Sequence, residues 1–218
     1  MHIAEGVLQP VILASCAALS AGGVFIGLKK LDSENLMTTA ILSASFFVAS
    51  LIHIPIGPVS GHLILNGLLG LLLGWVAFPA ILIALTLQAI LFQFGGITSL
   101  GVNTLNMALP PVICFYIFRP MFTKGTFSLR MAAFLCGMTA VALSALLTSG
   151  TLALGGDNFL NSAKILLASS VPVMIIEGLI SAVIVTFLAK VSPQVFPFTI
   201  ASPAQTTTPQ ATPSTTTE

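Results

Sequence analysis

Charged residues are scarce in this sequence. Of 218 residues, seven are basic and six are acidic, so charged side chains make up 6% of the chain while hydrophobic ones make up 56%. A soluble domain needs about a quarter of its residues charged to cover its surface. The shortage excludes an ordinary soluble globular protein and indicates a chain that is solvated by lipid. The formal net charge of +1 gives no electrostatic basis for binding nucleic acid.

Motifs of catalysis and nucleotide binding are also missing. The chain contains no GxxxxGK[ST] phosphate loop, no HExxH pair and no GxSxG turn. The three cysteines, Cys16, Cys114 and Cys136, stand alone in apolar stretches, so they are predicted to be small buried hydrophobic residues rather than ligands or disulfides. We therefore expect a protein that is not an enzyme and that does not itself hydrolyse ATP.

No Lys or Arg precedes the first apolar run. A secretory signal peptide carries basic residues ahead of its apolar segment, whereas Glu5 is the only charged residue there and Lys29-Lys30 follow the run. The first run is therefore predicted to be a retained membrane span, which leaves Met1 and His2 in place.

Apolar runs of membrane length are what the chain has instead. A membrane-crossing helix needs about 17 to 25 apolar residues. Such runs lie at 7–28, 36–53, 62–78, 79–95, 104–119, 128–153 and 165–190. The sequence predicts an all-α membrane protein with about seven transmembrane helices in a domain over residues 1–192. Residues 193–218, rich in Thr and Pro, are predicted to form a disordered tail.

The basic residues predict the orientation of these helices, because cytoplasmic loops are enriched in Lys and Arg. With seven spans, six of the seven basic residues fall on one side of the membrane: Lys29, Lys30, Arg119, Lys124, Arg130 and Lys190. Only Lys164 falls on the other. The N-terminus is therefore predicted outside and the C-terminus inside.

This topology brings all three histidines to the outer face. His2 lies in segment 1–6, and His53 and His62 lie in the connection between the second and third spans. A histidine at position two can chelate through the α-amine of residue one, its own amide nitrogen and its own imidazole. Deprotonated amides favour metals with tetragonal nitrogen fields, which indicates Ni²⁺ or Cu²⁺, with Co²⁺ as a further candidate.

A fourth donor is needed to complete such a chelate. His62 is favoured over His53, because His62 lies in a turn of small residues that would let it approach another segment closely. Ser60 or Asn66 would orient its imidazole. The alternative is that each histidine is an ordinary hydrogen-bonded residue at the membrane interface.

The connection 95–103 also reaches the outer face. Its glycines allow tight turns, and neutral hydrogen-bonding groups stand in or beside it at Gln93, Thr98, Ser99 and Asn103. Glu5 is predicted either to accept a hydrogen bond from a ligand imidazole or to stand as an acid near the first helix's N-terminus. The plain alternative for the connection is a capped link between two helices.

Glu177 is a carboxylate within the last predicted span. Ionisable residues are costly there and are commonly functional. It is predicted to serve either as a proton or ion relay, or as a polar contact that locks helices or a partner.

Taken together, these segments resemble one family. The motifs are Met1-His2-Ile3-Ala4-Glu5-Gly6, Ser60-Gly61-His62, Gly95 to Asn103 and Glu177-Gly178. They resemble the CbiM/NikM family, the cobalt/nickel substrate-capture (S) component of energy-coupling factor (ECF) type ABC transporters. The resemblance covers roughly residues 1–190.

The resemblance implies a function and partners. Met1, His2 and His62 would bind the transported Ni²⁺ or Co²⁺, with no other cofactor. The partners would be a transmembrane coupling subunit, cytoplasmic ATP-binding subunits and, in some systems, a small accessory membrane subunit. This chain would be a multi-pass protein of the cell's inner (plasma) membrane. Two alternatives are an intramembrane metal-dependent hydrolase, since a bound metal can activate water, and an S component for an organic vitamin, for which Trp75 and Tyr116 offer little aromatic lining.

Overall fold

The computed structural model describes residues 2–56, 59–125 and 128–200, without the side chains of residues 53–61 and 157. Met1 and residues 201–218 lie outside the described residues. The helices are α1 (Pro10–Lys29), α2 (Ser33–Leu51), α3 (Asn66–Leu73), α4 (Ala77–Phe92), α5 (Leu100–Lys124), α6 (Leu129–Ala153) and α7 (Leu160–Val191). The expected all-helical bundle is therefore present across the described part of the chain, apart from one short hairpin.

Six segments among the described residues are long and apolar enough to cross a membrane. Five of them are α1, α2, α5, α6 and α7, and the sixth, Asn66–Phe92, contains α3, a short 3-10 turn and α4. The sequence predicts about seven spans, with separate ones at 62–78 and 79–95. The two stretches are grouped together because α3 has only eight residues and α4 has 16, so neither helix alone has the usual length of a membrane span.

The chain reverses direction between α3 and α4. Gly70 faces Pro111 and Gly74 faces Phe115, so α3 runs parallel to α5. Helix α4 also packs along α5 and is joined to it by a short connection, so these two run antiparallel. The reversal falls at Gly74–Val76, where Gly74 has a φ of 53°, a conformation that favours glycine.

The connection after α2 forms a hairpin that the all-helical prediction does not include. Strand β1 (His53–Ile56) pairs antiparallel with β2 (Val59–His62), and residue 53 stands opposite residue 62. The β-branched residues Ile54, Ile56 and Val59 favour an extended backbone. The hairpin ends at His62 and thereby places this residue beside the helical bundle.

Helix α3 lies at the centre of the bundle. All eight of its residues are buried, and it packs against α5, α6 and α7. Gly67 lies against the backbone of Gly137 in α6, so two helices approach as closely as their main chains permit. The close packing fixes the depth at which α3 begins, four residues after His62.

The chain beyond α7 packs back onto the bundle. Phe196 is buried, and the ring of Phe198 lies 6.3 Å from that of Phe115 and 5.9 Å from that of Phe122. Residues 193–200, which the sequence assigns to the tail, lie against the bundle, because Phe196 and Phe198 pack with Phe115 and Phe122. The rest of the predicted tail, residues 201–218, lies outside the described residues.

Replacing Gly67 with Ala should destabilise the protein. The added Cβ would lie 2.5 Å from the Cα of Gly137, and backbone cannot move aside as a side chain can. We expect a loss of about 1–3 kcal/mol, the usual cost of overpacking. The measurement is thermal unfolding of the detergent-purified protein.

Gly150→Ala is the matched control, because its Cβ would meet no atom within 4 Å. It should be neutral or stabilising, since alanine favours helix over glycine. Equal melting of the two variants would contradict the close α3–α6 contact.

Candidate metal site

The N-terminal segment folds into the protein. Ile3 and Leu8 are buried against Val102 in a small apolar cluster. The Ile3 N–H donates to Asn103 Oδ1 at 2.9 Å, and Asn103 Nδ2 donates to the Ile3 carbonyl oxygen at 3.1 Å. The side-chain amide of Asn103 thus pairs with the main chain as a neighbouring strand would. This pairing fixes the backbone directly after His2.

Glycines in the 95–103 connection let the N-terminal segment approach. A Cβ at Gly95 would lie 2.6 Å from Asn103 Nδ2, and one at Gly96 would collide with the Glu5 side chain. Both glycines also have positive φ angles, 80° and 100°. The predicted need for glycine in this connection therefore has a definite cause, which is room for Asn103 and Glu5.

Glu5 ties the same two segments together at the surface. Its Oε1 accepts a hydrogen bond from the Thr98 backbone N–H at 3.0 Å. Hydrogen bonds from the Thr98 backbone and side chain lower the pKa of the Glu5 carboxyl below its ordinary value. Because the folded-state pKa is lowered, the contact is present above the ordinary pKa and is lost as the pH falls through the lowered one. At neutral pH the contact is in place.

His2 and His62 lie side by side although sixty residues separate them in sequence. Their ring centroids are 5.0 Å apart and the ring planes are 29° from parallel. His62 is 5% exposed, at the end of strand β2, and the ring of Phe94 lies 6.0 Å from that of His2. The pairing of His2 with His62 that the sequence favours is thus matched by their positions.

Gln88 orients the His2 ring. His2 Nε2 lies 2.9 Å from Gln88 Oε1, and because an amide oxygen accepts, this contact fits the neutral tautomer with its proton on Nε2. The neutral ring then has its lone pair on Nδ1, the nitrogen that can close a six-membered ring with the His2 amide. Gln88 is fully buried and its own Nε2 donates to Ser50 Oγ.

Sequence reasoning missed Gln88 and Ser50. Both residues lie inside helices whose sequences are typical of apolar spans. The sequence prediction named Gln93, beside the 95–103 connection, instead. Gln93 is exposed and ends α4 with a φ of 58°. The available signal was that Gln88 is a polar amide in an otherwise apolar helix interior, where an unpaired polar group is costly.

The other predicted residues have separate contacts. Asn66 Nδ2 donates to Ser144 Oγ in α6 at 2.8 Å, and Thr98 contributes its backbone N–H to Glu5. The side chains of Ser60 and His53 lie outside the described residues, as does Met1. Glu177 is buried and accepts hydrogen bonds from the backbone N–H groups of Ile64 and Leu65.

Two imidazoles do not make a complete metal site. Among residues 2–56, 59–125 and 128–200, no three His, Cys, Asp or Glu side chains are placed to hold a metal ion. The backbone amide of His2 is adjacent to the paired rings, and the α-amine would belong to Met1.

An apolar helical bundle with paired imidazoles beside a folded-in N-terminus defines a multi-pass membrane protein with a candidate transition-metal site. The chain belongs to the CbiM family: the family model described as the cobalt uptake substrate-specific transmembrane region matches residues 2–195. It is a cobalt/nickel transport component of the CbiM/NikM type, a family of transport components rather than enzymes.

Relatives from bacteria match most of the chain. A Haemophilus influenzae protein whose name assigns it to metal transport is 46% identical over 89% of this chain and 96% of its own length. The cobalt transport protein CbiM of Kyrpidia tusciae is 34% identical over 89% and 85%. The fused nickel transport protein NikMN of Rhodobacter capsulatus is 40% identical over 50% of this chain and 33% of its own length.

Solved structures share the fold. The crystal structure of a transition metal transporter matches with a TM-score of 0.77 and 29% identity, covering 88% of this chain and 93% of the other. That of a truncated transition metal transporter matches with a TM-score of 0.76 and 28% identity, covering 87% and 99%. The likeness extends over almost the whole described bundle.

Asn103→Leu should release the N-terminal segment. The variant removes both hydrogen bonds to the Ile3 backbone, so the Ile3 amide should exchange with deuterium faster than in the parent protein. The measurement is hydrogen exchange by mass spectrometry on the N-terminal peptide. Asn35→Leu, at an exposed position in α2, is the control. Unchanged protection of Ile3 in Asn103→Leu would contradict the pairing.

Proposed function

We propose that this protein is the substrate-binding membrane subunit of an ECF-type ABC importer for Ni²⁺ or Co²⁺. It captures the ion with its free N-terminus and His62. The observation that carries the proposal is the 5.0 Å separation of the His2 and His62 rings, in a chain that belongs to a cobalt uptake family.

The ring separation fits two imidazoles on one ion. Metal–nitrogen bonds are about 2 Å, so rings at adjacent corners of a square plane have centroids on the order of 4.5 Å apart. Rings at opposite corners would be on the order of 6 Å apart. The proposed chelate needs the adjacent arrangement, because the His62 nitrogen would stand opposite the His2 amide and beside His2 Nδ1.

The full ligand set consists of four nitrogens. They are the Met1 α-amine, the His2 amide, His2 Nδ1 and an imidazole nitrogen of His62. The deprotonated amide supplies a negative charge, so the site needs no carboxylate ligand. Binding releases protons, and affinity should therefore fall at low pH. Both Ni²⁺ and Co²⁺ suit such a donor set.

The remaining steps of import require partners. Since the chain has no phosphate loop, a transmembrane coupling subunit and cytoplasmic ATP-binding subunits would supply ATP hydrolysis, with a small accessory membrane subunit in some systems. The assembly would lie in the inner (plasma) membrane. This chain contributes capture and specificity, with the ion as cargo and no other cofactor.

The proposed orientation has seven crossings, with the N-terminus outside and the C-terminus inside. The support is the reversal between α3 and α4: the segment from His62 through α3 serves as one crossing and α4 as the next. The basic residues at the helix ends then all face the cytoplasm, namely Lys29, Lys30 and Lys124. This agrees with the enrichment of Lys and Arg in cytoplasmic loops.

One added residue before Met1 should abolish metal capture. The added residue converts the α-amine of Met1 into a peptide nitrogen. A second variant, His2→Ala, removes the His2 imidazole donor and should have the same effect. Loss of a supporting contact alone costs about 10- to 100-fold in affinity, so we expect more than about 100-fold here. The measurement is Ni²⁺ and Co²⁺ titration of the purified chain against a chromogenic chelator.

The same residue added after Glu218 is the matched control and should leave affinity unchanged. Intact-mass analysis of the parent chain checks that Met1 is retained and unmodified. Parent-like affinity in both the extended and the His2→Ala proteins would refute the N-terminal chelate.

Single cysteines should report the orientation. In a background without Cys16, Cys114 and Cys136, Gly156→Cys between α6 and α7 should react with an impermeant maleimide on intact cells. Gly125→Cys after α5 should react only after permeabilisation. The reverse pattern, or equal labelling of the two, would rule out the proposed seven-crossing orientation.

A further inference from the structure

Helix α3 begins inside the bundle, where its first N–H groups need partners. All its residues are buried, and its N-cap Leu65 has no side chain that can accept a hydrogen bond. The first N–H groups of a helix have no acceptor within the helix. Within a membrane, water does not replace the missing acceptors.

Glu177 supplies the missing acceptor from another helix. The N–H of Leu65 lies 2.8 Å from Glu177 Oε1 and 3.0 Å from Oε2, and the N–H of Ile64 donates to Oε1 as well. Glu177 is fully buried in α7. A carboxylate is favoured at the positive end of a helix, and charge-assisted hydrogen bonds are stronger than neutral ones.

The stretch held by Glu177 is the one that presents His62. The Leu63 N–H donates to the Ile52 carbonyl oxygen at 3.3 Å, next to the hairpin, and the Glu177 contacts begin at Ile64. Leu65 then turns the chain into α3 with a φ of 54°. The path from His62 to α3 is therefore fixed at both ends, by the hairpin and by the carboxylate.

We infer that Glu177 is a positioning residue for metal binding, which holds the segment 62–65 so that the His62 imidazole stays beside that of His2. The inference rests on the proposed function, because it takes His62 to be a ligand. A positioning residue differs from a residue that only locks helices together. Its effect on metal affinity requires His62, whereas the effect of a helix-locking residue does not.

A double-mutant cycle distinguishes these roles, because residues that act through one another are not additive. Ni²⁺ affinity and the ligand-field spectrum are measured for the full chain with Glu177→Leu, His62→Ala and both. Glu177→Leu should weaken binding about 10- to 100-fold and shift the spectrum towards that of His62→Ala. In the His62→Ala background it should cause no further loss.

Ser181→Ala is the matched control, one turn further along α7. Ser181 is buried and its Oγ has no hydrogen-bond partner among the described residues, so affinity and spectrum should stay as in the parent. Should Glu177→Leu fail to fold, Glu177→Gln keeps one acceptor oxygen and carries the same cycle with a smaller loss.

An equal loss from the Glu177 variant in both backgrounds, or no loss in the parent background, would overturn the positioning role while leaving the metal site intact. Parent-like affinity of His62→Ala itself would instead refute the proposed function, and the inference with it. The two failures are thus told apart by the His62→Ala protein alone.

Discussion

A chain that crosses lipid cannot leave main-chain polar groups unpaired, because hydrocarbon offers no hydrogen bonds. Beside the candidate site, two of the described segments nevertheless have irregular backbone: the N-terminal residues next to α1, and the stretch from His62 to α3. Each is held by a polar side chain from a distant helix, Asn103 in one case and Glu177 in the other. The two imidazoles meet where these irregular segments meet, so the candidate site depends on that pairing of main chain with buried side chains.

The arrangement also explains how a site for a cation can be built with so little charge. Gln88, Asn103 and Ser99 are neutral, and Glu5 lies at the surface with its carboxylate bonded to the Thr98 backbone. In the proposed chelate the charge is created on binding, when the amide loses its proton. Neutral groups around the empty site avoid the cost of a buried unpaired charge, and the compensating negative charge would form on the His2 amide when the ion displaces its proton.

Much of this could be predicted from the sequence. Composition and apolar runs indicate the membrane bundle, and the rare position of His2 together with the small residues before His62 selects the two histidines that the structure brings together. The hairpin and the eight-residue α3 could not be predicted, because an apolar run of span length does not show that part of it is extended or that the chain reverses within it. The contact of Gln88 with His2 could not be predicted for a related reason. It depends on the distance between α4 and the N-terminal segment, which only tertiary packing determines.

The ligand set itself is the central claim, and X-ray absorption on the Ni²⁺-loaded full chain tests it most directly. We predict four nitrogen donors at about 2 Å, two of them with the multiple-scattering pattern of imidazole, and no further shell of oxygen ligands. A six-coordinate spectrum dominated by oxygen, or one with a single imidazole, would contradict it.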